Sequence, residues 1–350
     1  RRRAAAARGG FVGLVGRTPL VRIDSLSRAT GCEILAKCEF LNPGGSSKDR
    51  IAKNIVLEAE ASGQLSAGGT IVEGTSGSTG ISLAQVAAAR GYRCVIVMPD
   101  DQALEKRQLL ARLGAEVVLV RPAAIVNRDH YVNVAQRRAA EIPGGFFANQ
   151  FENLANFRAH FLHTGPEIWR QTAGAIDAFV MSAGTGGTIA GVGAFLKAEN
   201  PNIQVVLADP QGSSLYHKVN DGVLYTHEQA ERRIRRHRDD TITEGIGIDR
   251  LTANFAAGLD YIDRADRVTD AEVVAMSRRV LADDGLFVGS SSALNLVAAV
   301  REAERLGPGH TVVTVICGSG SREFTKLYND DYLRGRGLLP PAGEPTAPVL

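Results

Sequence analysis

The chain has 350 residues, 44% of them hydrophobic and 22% charged, with 40 Lys and Arg against 38 Asp and Glu. That length gives room for about two domains whose cores need no disulfide help, a formal net charge of +2 gives no reason to expect a polyanion such as nucleic acid as partner, and no apolar run is long enough to cross a bilayer as a helix. Four cysteines, Cys32, Cys38, Cys94 and Cys317, form no CxxC pair and no zinc spacing with the histidines, so reduced structural thiols are expected and a metal site is not.

Residues 1–10 are rich in Arg and Ala and lack acids, a composition that suits either a mitochondrial targeting segment or a solvated basic tail. A first strand is expected over 34–37. After the turn Asn42-Pro-Gly-Gly45, Lys48 stands at the start of a run with apolar Ile51, Ile55, Val56 and Ala59 and a stop at Gly63, which reads as an amphipathic helix. In the first turn the positive end of the helix dipole opposes a second positive charge, which lowers an ammonium pKa and favours the free amine. Lysines that form Schiff bases need this. Taken alone, Lys48 also reads as one more solvated lysine.

A strand over 70–73 leads through Thr75-Ser-Gly-Ser-Thr-Gly80 into an Ala-rich helix over 81–90. Strands over 93–98 and 116–120 alternate with helices over 104–113 and 131–141. A strand over 178–182 leads through Gly184-Thr-Gly-Gly-Thr188 into a helix over 189–199, which repeats the earlier order. Loops of Gly, Ser and Thr at a helix start turn backbone N–H groups and hydroxyls toward one point, which suits an anion. Neither loop follows GxGxxG with a later acid, nor the Walker pattern. Further strands are expected over 204–208 and 311–316, with a helix over 270–284. Gly289-Ser-Ser-Ser292 reads as a serine cap for a helix over 293–306, and His160 and His163 as packing or surface residues. The basic run Arg232–Arg238, inside a variable stretch from Gln211 to Thr243, reads as a solvated helix face. The alternation gives an α/β class with two mostly parallel sheets, helices on both faces and ligands at the strand carboxyl ends.

The segment Lys37 to Arg50, with its Ser-x-Lys-Asp-Arg ending, resembles the Schiff-base lysine signature of the cysteine synthase and cystathionine β-synthase family, fold-type II pyridoxal-phosphate enzymes with a tryptophan synthase β-like fold. Further matches follow in the family's order. They are Thr75–Gly80, Asn149-Gln-Phe151, Thr164-Gly-Pro-Glu-Ile-Trp169, Gly184–Thr188, Glu244-Gly-Ile-Gly247 and the strand end at Ser319. The similarity runs from about Gly16 to Leu333 and is nearest to the fungal mitochondrial branch.

The resemblance implies that Lys48 holds pyridoxal 5′-phosphate and acts as the base at Cα. Gly184, Thr185, Gly186, Gly187 and Thr188 would seat the cofactor phosphate, and Ser78 and Ser319 would face its ring. Thr75, Ser76, Thr79, Gln150 and Gly245 would receive the amino-acid substrate. A serine rather than a carboxylate at the pyridine nitrogen makes a weaker electron sink, which favours loss of a group from Cβ. Two departures stand out: Ser78 replaces the usual Asn, and Cys317–Ser321 is richer in glycine than the family pattern, which leaves Ser321 as the alternative to Ser319. The implied reaction is replacement of acetate on O-acetylserine by sulfide through an aminoacrylate. Homocysteine acting on serine, cysteine desulfhydration and, from another class, an inactive scaffold remain open. The implied division is a smaller domain at 45–148 and a larger one of 11–44 with 149–333, with an active site in the cleft between them and disordered tails at 1–10 and 335–350. A homodimer is implied as well, and a site that uses no metal.

Overall fold

The structure, a computed structural model, describes residues 9–102, 104–225 and 241–340. Its strands are β1 (Leu20–Arg22), β2 (Glu33–Cys38), β3 (Thr70–Gly74), β4 (Arg93–Pro99), β5 (Glu116–Val120), β6 (Gly145–Phe147), β7 (Ala178–Ser182), β8 (Gln204–Pro210), β9 (Arg264–Val268) and β10 (Thr311–Ile316). They fall into two compact units, one made of the chain up to Arg17 with Leu41–Asn156, the other of Thr18–Phe40 with the chain from Phe157 onward.

In the first unit the sheet order is β5-β4-β3-β6, all parallel. Successive side chains of a strand point to opposite faces, and here both faces are apolar. Cys94, Ile96 and Met98 of β4 pack with Ile51 and Ile55 of the helix Lys48–Ala61 and with Ile81 and Leu83 of the helix Ser78–Arg90. Val95 and Val97 pack on the other side with Val72 of β3 and with Ala135 and Ala139 of the helix Tyr131–Glu141. A strand covered on both faces reads as a continuous hydrophobic run, the mark of a parallel sheet.

The second unit repeats the plan with the order β1-β2-β10-β7-β8-β9, parallel except where β1 runs against β2. Val206 and Ala208 of β8 join Leu294 and Ala298 of the helix Ser290–Leu306, while Val205 and Leu207 join Ile189 and Leu196 of the helix Gly187–Glu199. The α/β class read from the alternation is the one observed.

The first unit takes in more than residues 45–148. Phe11 and Val12 pack against its core, the Gly16 N–H donates to Asn42 Oδ1 at 2.8 Å, and Asn156 Nδ2 donates to the Gln150 carbonyl at 2.9 Å. Periodicity marks elements, but not the sheet on which a connecting segment packs. Order also reaches into the expected tails. A short helix opens at Gly10, and Leu338 and Leu339 pack against the second unit's core. Residues 1–8 and 341–350 lie outside the described residues, as does the Arg232–Arg238 run; of the stretch from Gln211, the helix Leu215–Asp221 is described, with Leu215 buried.

Two buried polar features belong to the scaffold. Lys37 on β2 is fully buried, and its ammonium donates to Glu167 Oε2 at 2.7 Å, to Gln171 Oε1 at 2.8 Å and to the Thr18 carbonyl at 2.6 Å. All four cysteines are buried and reduced. Burial pushes the Cys38 thiol up to about 11 and the Cys94 thiol up to about 12. Removing one partner of a buried ion pair strands the other charge, so Glu167→Ala should destabilise the protein by about 3–5 kcal/mol, measured by urea unfolding.

Candidate functional site

In the first unit Lys48 is the first residue of its helix, with Ser47 at the N-cap. Its ammonium donates to Ser47 Oγ at 3.3 Å, and its backbone N–H to Ser46 Oγ at 3.3 Å. The next residue fixes this turn. Asp49 is fully buried, accepts the Gly44 N–H through Oδ2 and the Ser82 hydroxyl through Oδ1, both at 2.5 Å, and so ties the lysine turn to the helix Ser78–Arg90. A Cβ on Gly44 would collide with the Asp49 carboxylate, which accounts for the glycine before the lysine.

The helix Ser78–Arg90 starts where β3 ends. Its N-cap is Gly77 at φ +145, with no side chain capping it, so the first N–H groups of the helix are available to a ligand. Thr75 and Thr79 are buried, while Ser76 and Ser78 are partly exposed. The Gly77 N–H donates to Thr75 Oγ1 at 3.2 Å, which folds the loop back on itself. Thr79 Oγ1 donates to Gln150 Oε1 at 2.6 Å, and Gln150 Nε2 donates to the Gly74 carbonyl at 3.4 Å. The structure therefore brings Gln150 onto the Thr75–Thr79 loop.

In the second unit β7 runs into Ala183–Gly186 and then the helix Gly187–Glu199, whose N-cap Gly186 has φ +83 and again no side-chain cap. A Cβ on Gly184 would collide with the Gly245 carbonyl oxygen, and one on Gly186 with Phe255. Gly245 is thereby placed against the loop. The Gly247 N–H donates to the Ala183 carbonyl at 2.8 Å, and Thr252 Oγ1 donates to the Thr185 carbonyl at 2.7 Å. Gly187 N–H reaches Thr185 Oγ1 at 3.4 Å. The result is a closely packed turn at a helix start that carries backbone donors and the hydroxyls of Thr185 and Thr188, a set that suits an anion.

Ser319 follows β10 and is paired with Val288 across an isolated bridge. It is partly buried, whereas Ser321 is exposed. Its Oγ accepts the Ser321 N–H at 3.2 Å and donates to the Phe287 carbonyl at 3.4 Å. The neighbouring serines are not a cap. The helix begins at Ser290, earlier than the 293 expected, because Glu323 takes the Ser290 N–H and Ser292 Oγ takes the Cys317 N–H at 3.0 Å.

Two buried polar side chains at these loops escaped the sequence reading. His160 is fully buried, and its ring nitrogens lie 3.0 Å from Thr164 Oγ1 and 3.1 Å from Thr188 Oγ1, which fixes the Thr188 hydroxyl at the helix start. Its turn, His160–Thr164, is π-helical, a distortion common at functional sites. Glu73 on β3 is also fully buried, and its Oε2 accepts the Gln150 N–H at 3.2 Å. Burial pushes its carboxyl up to about 8 from 4.5. A folded-state value above the unfolded one means that the stabilising effect is complete below about 4.5 and is lost as pH rises through about 8. Urea unfolding of Glu73→Gln should lose that slope, gaining stability relative to the parent between those two pH values.

A family model described as pyridoxal-phosphate dependent enzyme matches residues 12–318. Cysteine synthase 2 of Schizosaccharomyces pombe is 55% identical over 340 residues, which cover 95% of this chain and 86% of that protein. A Saccharomyces cerevisiae relative, named provisionally as a mitochondrial cysteine synthase, is 50% identical over 331 residues, 92% of this chain and 84% of its own. Among solved structures, an O-ureido-L-serine synthase superposes with a TM-score of 0.79 at 32% identity, covering 94% of this chain and 100% of that one.

Proposed function

The chain belongs to the pyridoxal-phosphate dependent enzymes, and from that premise we propose that it is a cysteine synthase that replaces the acetate of O-acetylserine with sulfide. One observation carries the reading: a lysine at the first position of a helix, in a chain where two more helices open on uncapped glycine turns. The residues fit the cofactor. A phosphate monoester needs converging donors, and the helix start at Gly184–Thr188, with no N-cap side chain and with the hydroxyls of Thr185 and Thr188, offers them.

Pyridoxal phosphate, when bound, supplies an electron sink that acidifies the substrate Cα–H and lets a group leave Cβ. Lys48 would carry it covalently, and the freed Lys48 amine would then take the Cα proton and later return one. Gly184, Thr185, Gly186, Gly187 and Thr188 would hold the phosphate, with Thr188 oriented by His160. Thr75, Ser76 and Thr79 would offer N–H groups and hydroxyls to the substrate carboxylate, Gln150 would brace that loop, and Gly245 would line the substrate side. Ser319 would face the ring nitrogen as a neutral hydroxyl. Lacking a carboxylate there, the site favours release from Cβ over longer-lived carbanion chemistry. Ser78, shorter than the amide usual at its position, would sit beside the ring.

Sulfide rather than homocysteine as nucleophile is supported by relatives at 50–55% identity named cysteine synthase, against 38% for the cystathionine beta-synthase of Apis mellifera. A mitochondrial location is supported by the Arg-rich, acid-free residues 1–10 and by the yeast relative's name. A homodimer rests on the family resemblance alone.

Product assays with O-acetylserine, serine and cysteine, each with and without sulfide or homocysteine, test this directly. Cysteine from O-acetylserine and sulfide is expected to dominate; faster cystathionine formation from serine and homocysteine would overturn the choice of nucleophile. Lys48→Ala should lose the yellow absorbance of the covalently held cofactor and lower turnover by about 10²–10⁴-fold or more. Ser78→Asn should keep the cofactor and preserve or raise turnover.

A further inference from the structure

Glu73 is an unusual residue for its place. All five residues of β3 are buried, and Ile71 and Val72 show what the strand otherwise packs. A carboxyl here is enclosed at 0% exposure, and its Oε1 has no hydrogen-bond partner among the described residues. A buried acceptor left bare costs stability that a valine would not. What the carboxyl does gain is one backbone donor from across the sheet edge: the Gln150 N–H reaches its Oε2 at 3.2 Å.

Asn149 has φ +52, one of three non-glycine residues at positive φ among the described residues. Such a conformation persists where its surroundings hold it. The turn that it makes aims Gln150 back across the end of β3, so that Gln150 Oε1 accepts from Thr79 and Nε2 donates to the Gly74 carbonyl. The carboxyl thus holds the backbone of the turn at Gln150, and the Gln150 side chain in turn reaches both Gly74, where the loop leaves the strand, and Thr79, where it enters the helix.

We propose that Glu73 is the positioning residue that fixes the Asn149–Gln150 turn and, through Gln150 and Thr79, the loop that receives the substrate carboxylate. It touches no substrate atom and acts only through the groups that it holds. This rests on the assignment of the Thr75–Thr79 loop as the carboxylate site. Cys94 on the adjacent strand is the titratable group that feels the carboxyl; it stays a neutral thiol, so the position calls for an acceptor and not for a counter-charge. A glutamine, with the same shape and an acceptor oxygen, should serve.

The test compares Glu73→Met, Glu73→Asp and Glu73→Gln with the parent, reading the KM for O-acetylserine, kcat, cofactor absorbance and amide hydrogen exchange at Gln150. Glu73→Met should expose the Gln150 amide to exchange and raise KM by about tenfold or more, the scale of one lost hydrogen bond, with kcat at saturation and cofactor content nearly unchanged. Glu73→Asp, one methylene shorter, should move both readouts in the same direction, and it keeps the comparison alive should the methionine variant fail to fold. Glu73→Gln should return KM and amide protection to parental values. Unchanged KM or retained protection in the methionine or aspartate variant would overturn the proposal, as would a glutamine variant no better than methionine. Absence of cysteine formation by the parent protein is read first and separately, and it would overturn the cysteine synthase reading instead.

Discussion

A helix must leave its first N–H groups without partners from within itself, and the chain uses that constraint in both units. Each places a glycine at the N-cap, Gly77 or Gly186, which has no side chain of its own to satisfy those donors. Both glycines stand at positive φ, and a Cβ at either would meet a neighbour, Lys106 or Phe255, so a capping Ser or Asp has no place there. The surrounding glycines follow from the same constraint. Backbone from Gly245 and the ring-bearing residue Phe255 close in on Gly184 and Gly186 because no side chain stands in the way.

Polar groups then lock these openings from beneath. His160 spans two threonine hydroxyls in the second unit, and Asp49 joins the lysine turn to the helix Ser78–Arg90 in the first. Each is fully buried, where low dielectric strengthens a satisfied hydrogen bond and makes a lost one costly. The groups proposed to meet a ligand are held by buried ones.

Much of this was legible in the sequence. The central strands β3, β4, β7, β8 and β10 are mostly apolar runs, and both glycine loops announce a strand-to-helix turn. The strands that escaped notice are of another kind. β1 and β6 have three residues each, too short for a period, and β9, Arg-Ala-Asp-Arg-Val, hides its buried Ala265 and Val268 among charges on an edge. Lys48 and the loops stand out in the sequence because each combines particular residue types at fixed local spacing. His160 and Glu73 depend on partners 28 and 77 positions away, and nothing local distinguishes a histidine that orients a threonine from one that merely packs. The uneven domain boundary has the same origin, since Phe11 and Gln150 join the first unit through contacts distant in sequence.

The four enclosed thiols bear on the medium in which this chain would work. An enzyme handling sulfide and releasing a thiol meets continual candidates for sulfur exchange, and exchange runs through the thiolate. With no cysteine at the surface, and with Cys38 and Cys94 held protonated far above neutral pH by burial, the protein offers that chemistry no handle of its own. It is built to be indifferent to the sulfur that it moves.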